Sequence, residues 1–536
     1  MNWKKLFKNP IDSIAAAAFI IAITSLTSRF LGILRDRILA GSFGAGETLD
    51  IYFAAFRIPD LIYNLLVLGA LSAGFIPIFI SLKKDNKKAA WYLANNTLNI
   101  LIISLVILAI LGIIFINPLI NIIAPGFDSL AKAETAKLTM IMFLSPIFLG
   151  ASALIGGILQ SFRRFIAYSL APIFYNLGII IGALFFVDAL GIVGLAWGVV
   201  LGALLHLLIQ IPTAFSLGFR FKFIINFKDR ATRKLARLMV PRTLSLAISQ
   251  INLLVITILA TRLETGSLTV FNFANNLQFF PIGIFGISFA IAVFPLLSEK
   301  VDNKEKYKEI FASTLRKILF FIVPATVLLI TLRAQIIRVI LGTGAFTWRD
   351  TIMTMNTLGF FALSLFAQAS IPLLVRMFYA RHDSKTPFYL GLISVIVNII
   401  LAILLGERMG VAGLALAFSI SAIFQFFLLW LRLNIILGDL NLSNIISAVF
   451  VYTLAAIFCG IVVQTSKLAI WPFIDMTTFL GVFIQLTVCA SLGLLTFFLI
   501  CYYLKNPEAK EFLETVKKRL PWKKTKSLDA GEARGL

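Results

Sequence analysis

The chain has 536 residues, of which 60% are hydrophobic and only 14% charged, a composition that excludes a water-soluble enzyme of this length. Its net charge of +23 does not mark a nucleic-acid binder, because Lys and Arg gather in short connections between apolar runs, the pattern that orients helices in an inner membrane. Those runs recur at about 20 residues, the length a helix needs to cross ~30 Å of hydrocarbon, so the fold class is an all-α polytopic membrane protein. Short alternating segments of the β-barrel kind do not dominate.

In chain order, the start carries Lys4, Lys5 and Lys8 before an Ala-rich run. That run continues to Leu34 and ends in charges rather than at a small-residue cleavage site, so it reads as a first spanning helix and not as a signal peptide. About fourteen transmembrane segments follow the hydropathy, near 12–33, 51–82, 89–115, 134–159, 168–187, 192–216 and 235–260. The later seven lie near 268–296, 309–331, 352–378, 386–405, 411–435, 443–465 and 477–504.

An even count puts both termini on one side. Connections on that side hold Lys83/Lys84/Lys87/Lys88, Arg163/Arg164, the run from Arg220 to Arg237, Lys300 to Lys308, Arg381/Lys385 and the tail from Lys505. The opposite connections are sparse or mixed, with Asp128, Lys132 and Glu134, then Asp188, Arg262/Glu264, Glu407/Arg408 and Lys467/Asp475. The bias places both termini in the cytoplasm.

An internal repeat joins the halves. Gly191-Ile-Val-Gly194-Leu-Ala opens the sixth segment and Gly410-Val-Ala-Gly413-Leu-Ala opens the twelfth. Upstream of each, a basic turn leads to a proline, Arg163/Arg164 to Pro172 and Arg381/Lys385 to Pro387. Segments 1–6 therefore correspond to 7–12, two six-helix lobes about an axis along the membrane normal, with two extra C-terminal helices. The expected domains are an N-terminal lobe (1–219), an amphipathic linker with the C-terminal lobe (220–438), the last two helices (439–504) and a basic cytoplasmic tail (505–536). The linker, rich in Phe219, Phe221, Phe223 and Phe227 among basic residues, is expected to lie on anionic headgroups.

Three cysteines, Cys459, Cys489 and Cys501, make neither a disulfide framework nor a ligand spacing, and the two histidines, His206 and His382, lie far apart. No GxxxxGK loop occurs. No cofactor, no metal and no catalytic residue is assigned.

The informative charges lie between Thr24 and Pro77. Arg29, Arg35 and Arg57 sit toward the outer ends of their segments, where orientation predicts few cations. A charge at a helix centre costs at least ~2.5 kcal/mol and usually faces a cavity. Asp50, Arg57 and Asn64, spaced by seven, share one helix face. Arg35 is rotated by roughly 120° from Arg29, so both reach one cavity only if the helix bends, for which Gly32 is the place. Two readings stand: a basic cavity for an anion such as phosphate, suited to the bidentate arginine fork, or Arg35 and Arg37 reaching the outer interface while Arg29 pairs with a buried acid. Prolines at 59, 77, 281, 295 and 372 supply kinks suited to a rocking transporter.

Ser28-Arg29-x-Leu-Gly-x-x-Arg35-Asp36, Phe43-Gly44-Ala-Gly46, Asp50-x-x-Phe53-x-Ala-Phe56-Arg57-x-Pro59 and Gly69-Ala-Leu-Ser72-Ala-x-Phe75-x-Pro77 resemble the opening of the MurJ/MviN lipid II flippases. Ala124-Pro-Gly-Phe127, Thr386-Pro387 and Gly413-Leu-Ala415 extend the likeness. The resemblance implies two lobes around a central basic cavity that faces the two sides of the bacterial inner membrane in turn, passing the pyrophosphate-sugar-peptide head of lipid II. The last two helices would hold the polyprenyl tail. Substrate-binding positions so implied are Arg29, Arg35, Arg57 and Asp50, joined by Asn64 and Asn276. Tyr63-Asn64 and Asn275-Asn276 stand where the family commonly has basic residues, which makes the cavity less basic. A family-type sodium site would want acids in helices seven and eleven; only Asn398 is a candidate, and none is assigned. Expected partners are lipid II, membrane lipids and cell-wall synthesis proteins. Rival readings are an exporter of another polyprenyl-linked saccharide, a multidrug antiporter, which would prefer cavity acids, and a non-transporting cell-envelope scaffold.

Overall fold

The structure, a computed structural model, describes residues 14–68 and 74–519, and among these it is almost wholly helical with no strand. The Lys-rich start, the Gly69–Ala73 part of the opening motif and the tail beyond Arg519 lie outside the described residues. Among the described residues, ten helices are long and apolar enough to cross a membrane. They are α3 (Lys87–Ile114), α4 (Ser129–Ser161), α5 (Phe165–Leu190), α6 (Val193–Ser216), α8 (Ser267–Glu299), α9 (Lys304–Thr331), α11 (Lys385–Met409), α12 (Val411–Leu437), α13 (Leu442–Phe473) and α14 (Phe479–Tyr503). An eleventh, α10, is counted if Trp348–Ala362 and Leu365–Ala380 form one span across their break. The chain is a multi-span membrane protein.

The other three expected segments are helical where described and stand outside this count. Helix α1 (Ile14–Phe43) carries Arg29, Arg35, Asp36 and Arg37 in its second half. The stretch α2 (47–85) is interrupted at Phe56 and passes through a π-turn at Asn64–Leu68. Helix α7 (Arg230–Ala260) begins five residues before the apolar run, capped by Asp229 on the Thr232 N–H at 2.8 Å, and its first turns hold Arg230, Arg233, Lys234 and Arg237. Among the described residues, length and composition mark ten or eleven crossings, against about fourteen expected from the hydropathy. A further π-turn, Ile282–Ile287, directly follows Pro281 in α8, where the missing N–H breaks the regular ladder.

The chain divides into two compact units: Met1–Phe280, Arg333–Ser364 and Ser384–Phe427 form one, and Pro281–Leu332, Leu365–Asp383 and Leu428–Leu536 the other. In the first, α5 and α6 meet through glycines. A Cβ on Gly178 would strike the backbone of Gly202, and one on Gly182 would strike Gly198. Small residues let the two backbones touch, which replaces the hydrophobic driving force that lipid cannot provide. In the second, Phe320 packs on Tyr452, Phe497 and Phe498, while Glu508 of the helix Pro507–Arg519 accepts from Arg316 Nε at 2.7 Å and from the Tyr452 hydroxyl at 3.0 Å.

The linker is amphipathic, but as an extended strip rather than a helix. Residues 219–227 have no regular structure, and their backbone is held by three asparagines of α3. Asn95 bonds Arg220 O and Lys222 N, Asn96 bonds Asn226 O and N, and Asn99 donates to Lys222 O and Ile224 O. Carboxamides offer both donor and acceptor, so each can replace a missing strand neighbour. Phe221, Phe223 and Phe227 point outward and are exposed.

The repeat motifs have matching local geometry. Gly191 and Gly410 both take positive φ, 60° and 61°. Each N–H closes the preceding helix, on Val187 O and Gly406 O at 2.9 Å. Three residues on, a Cβ at Gly194 or Gly413 would collide with the end of that same helix. The basic turns match too: Arg163 (φ 57°) and His382 (φ 60°) are left-handed, and the next N–H in each reaches back five residues, to Leu159 O and Phe378 O.

Candidate functional site

The charged residues singled out in α1 and α2 find partners on α5 and α8, within the first unit. Arg35 places Nε and Nη2 on Asp36 Oδ1 at 3.0 and 2.8 Å, and its Nη1 donates to Asn176 Oδ1 of α5 at 3.2 Å. The other carboxylate oxygen of Asp36 accepts from Asn276 Nδ2 of α8 at 2.9 Å. Asp36 is buried and Arg35 half-buried, so an ion pair inside apolar helices is tied on both sides by carboxamides. Pairing and hydrogen bonding together are what make such a charge tolerable at depth.

Arg57 lies further along the same interface. Its Nη2 donates to Asn272 Oδ1 of α8 at 2.9 Å, and its Nε is buried without a hydrogen-bond partner. Asp50, seven residues before Arg57 in α2, is fully engaged: it accepts from Gly266 N (2.6 Å), Thr269 N (2.8 Å) and Thr269 Oγ1 (2.6 Å). The carboxylate thereby caps the start of α8, where free N–H groups and the helix dipole favour an anion. Asn64 bonds only backward, to Asp60 O at 2.8 Å, at the mouth of the π-turn.

Arg29 stands apart. It lines a cavity of about 490 Å³ enclosed by α1, α2, α4, α5 and α6, and neither Arg35 nor Arg57 lines that cavity. The helix α1 runs unbroken past Gly32, whose open side faces Asn176. The three arginines therefore do not converge on one cavity in this conformation. Arg35 and Arg37 do not reach outward either: Arg37 donates to the Val339 and Ile340 carbonyls at the end of the helix Arg333–Ile340. Arg29 has no acid partner among the described residues.

Residues 39–484 match the family described as lipid II flippase MurJ. The chain belongs to the lipid II flippase MurJ family. It is 32% identical over 452 residues to the probable lipid II flippase MurJ of Buchnera aphidicola subsp. Schizaphis graminum, covering 82% of this chain and 88% of the relative. It is similar to a solved lipid II flippase MurJ in an inward closed conformation, with a TM-score of 0.75 and 25% identity over 91% of this chain and all of that one. A multidrug resistance MATE family transporter of the MOP superfamily, in an inward-facing conformation, shares the fold, with a TM-score of 0.66 and 17% identity over 77% of this chain and 95% of that one.

Several members of this MurJ-family site were not read from the sequence. Asn176 and Asn272 hold the two arginines, and their signal was a carboxamide inside an apolar or aromatic run, which lipid does not tolerate without a partner. Asp60 lines a small cleft with Phe56, Pro59 and Tyr63. Asn398, the lone candidate for a family-type ion site, donates to Asn252 Oδ1 of α7 at 2.7 Å. Among the described residues no group of three or more His, Cys, Asp or Glu side chains is placed to hold a metal.

Proposed function

We propose that this protein moves lipid II, the undecaprenyl-pyrophosphate-linked precursor of peptidoglycan, from the cytoplasmic to the outer leaflet of the bacterial inner membrane by alternating access. No covalent step is needed. Arg35 and Arg57 receive the pyrophosphate, because a guanidinium offers parallel donors to phosphate oxygens and stays charged when dry. The observation that carries this reading is the unpartnered, buried Nε of Arg57 beside the Arg35–Asp36 pair. Donor capacity is held ready there, and the Asn276 carboxamide occupies the second oxygen of Asp36. Asp50 serves as the clasp of α2 on α8 rather than as a ligand.

The family's basic position in α8 falls at Asn275-Asn276 here, so the site binds through fewer formal charges. In the same reading both termini are cytoplasmic, fourteen segments cross, and the lobes 1–219 and 220–438 rock about an axis along the membrane normal. Residues 439–504 carry the polyprenyl groove, and residues 505–536 form the basic tail.

The test is flipping of fluorescent lipid II in proteoliposomes containing the purified protein. Transfer between leaflets above protein-free vesicles is expected. Transfer of a different polyprenyl-pyrophosphate saccharide but not of lipid II would replace the substrate, and transfer of neither would reject the transporter reading.

A further inference from the structure

The helix α15 (Pro507–Arg519) turns back from the end of α14 and docks on α9 and α13. The turn is built into the backbone: Lys505 is left-handed (φ 56°), the Asn506 N–H reaches back five residues to Cys501 O at 2.9 Å, and Asn506 Oδ1 caps the Ala509 N–H at 3.1 Å. Thirteen residues are marginal for a helix in water, so α15 owes its form to what it packs on. Two neighbouring cations of α9 take two acids one turn apart. Arg316 Nε donates to Glu508 Oε1 and Lys317 Nζ to Glu511 Oε1, both at 2.7 Å. The Glu508 carboxylate is buried, and the Tyr452 hydroxyl of α13 donates to its other oxygen at 3.0 Å.

From these ion pairs a line of rings leads to α8. Phe512 of α15 stacks on Phe498 of α14 (5.1 Å between centroids, 16° between planes) and meets Phe321 of α9 edge-on at 5.8 Å. Phe321 in turn lies flat on Phe285 (4.8 Å, 4°) and stacks on Phe289 (6.1 Å, 24°). Phe285 belongs to the π-turn Ile282–Ile287, where the ladder of α8 is already broken by Pro281. Within that turn the Ser288 hydroxyl bonds back to Gly283 O at 3.1 Å. Gly286 is pressed on α10, where a Cβ would strike the Ala369 backbone. The turn is therefore held by one close backbone contact and one aromatic stack, and the stack leads on to α15.

We propose that α15 is a conformational brace for the π-turn of α8. Docked, it fixes Phe321 against Phe285 and Phe289; undocked, it frees Phe321 and lets the turn rearrange. A helix interrupted by a proline and a π-turn changes its course at little cost, so a ring wedged against the interruption decides it. Glu508 cannot stay buried without Arg316, so the first turn of α15 leaves α9 as a unit, which makes docking all-or-none. Phe285, Phe289, Phe321, Glu508 and Phe512 all belong to one compact unit, and the division between the two units falls at Phe280/Pro281, directly before this turn. The inference concerns how the chain moves and is independent of what it carries.

Hydrogen exchange read by mass spectrometry on the detergent-purified full chain tests the brace, because amide exchange reports local opening. Glu508→Ala and Phe512→Ala are each expected to speed exchange of residues 508–516. Exchange of 282–290 should rise with it by about tenfold, as loss of a charge-assisted hydrogen bond or a ring contact entails. The π-turn Gly182–Phe186 of the other unit should keep its rate. Phe512→Ala retains both ion pairs and serves if melting shows that Glu508→Ala does not fold. Phe321→Leu cuts the stack but leaves α15 its ion pairs, and in that background Phe512→Ala should free 508–516 with no further effect on 282–290. Unchanged exchange of 282–290 when 508–516 is freed in the otherwise native chain overturns the brace. So does an equal effect of Phe512→Ala on 282–290 with and without Phe321→Leu, which would mean general loosening. Unchanged exchange of 508–516 in both variants overturns it as well, since these contacts would then not hold α15.

Discussion

Asn276 and Asp36 are joined by one hydrogen bond of 2.9 Å, and through it α8 holds the carboxylate that neutralises Arg35. Asp36→Ala leaves Arg35 in an apolar helix with only Asn176 as partner. The expected loss is about 2 kcal/mol, below the ~3–5 kcal/mol of a fully buried pair because the Arg35 side chain keeps 22% of its exposure. Asp36→Asn keeps an acceptor and is expected to lose less, and Arg35→Ala in the Asp36→Ala background to restore part of the stability. Melting temperatures of the purified variants measure this; a double variant no more stable than Asp36→Ala would show that the pair is not the source.

Replacing Arg29, Arg35 or Arg57 with Ala is expected to abolish lipid II transfer while folded protein remains in the membrane. Lys at 35 or 57 should rescue only in part, because an ammonium lacks the planar fork. Flipping rates normalised to membrane protein give the comparison. Full activity in the triple Ala variant would end the binding role.

Asp50 makes the opposite expectation. Asp50→Ala strips the Gly266 and Thr269 donors of their acceptor at the head of α8, which costs about 1–3 kcal/mol for the groups left unsatisfied. Abundance should fall, while activity per folded molecule is retained; a normal level of inactive Asp50→Ala protein would move Asp50 from clasp to ligand.

At the α5–α6 contact, Gly198→Leu is expected to prevent folding, since even a Cβ meets the Gly182 backbone and the helices must part. Gly391, whose nearest neighbour beyond its own helix is a Gln425 side chain at 3.5 Å, serves as the comparison and should tolerate Ala. Yield of monodisperse protein after detergent extraction distinguishes the two.

Reporter fusions fix the orientation. Fusions after Leu504 or within 300–308 should read as cytoplasmic, and fusions near Asp188 or Glu407 as exterior. Inverted signals at these positions would break the fourteen-segment topology.

Membrane class, helical architecture and the paired motifs were all legible in the sequence, because each is encoded locally. A run of apolar residues partitions into lipid whatever its neighbours do, and Gly191 and Gly410 turn the chain through their own φ angles. Which polar groups meet was decided elsewhere. The seven-residue spacing placed Asp50 and Arg57 on one face, and both do turn to α8, but Asn64 bonds its own helix. Arg29 and Arg35, which could share a cavity only if α1 bent at Gly32, are separate in space, because Asn176 of α5 takes Arg35 while Arg29 lines the cavity that includes Gln210. A charge inside lipid must find its partner on another helix, and the identity of that helix is a property of packing, which no single segment contains.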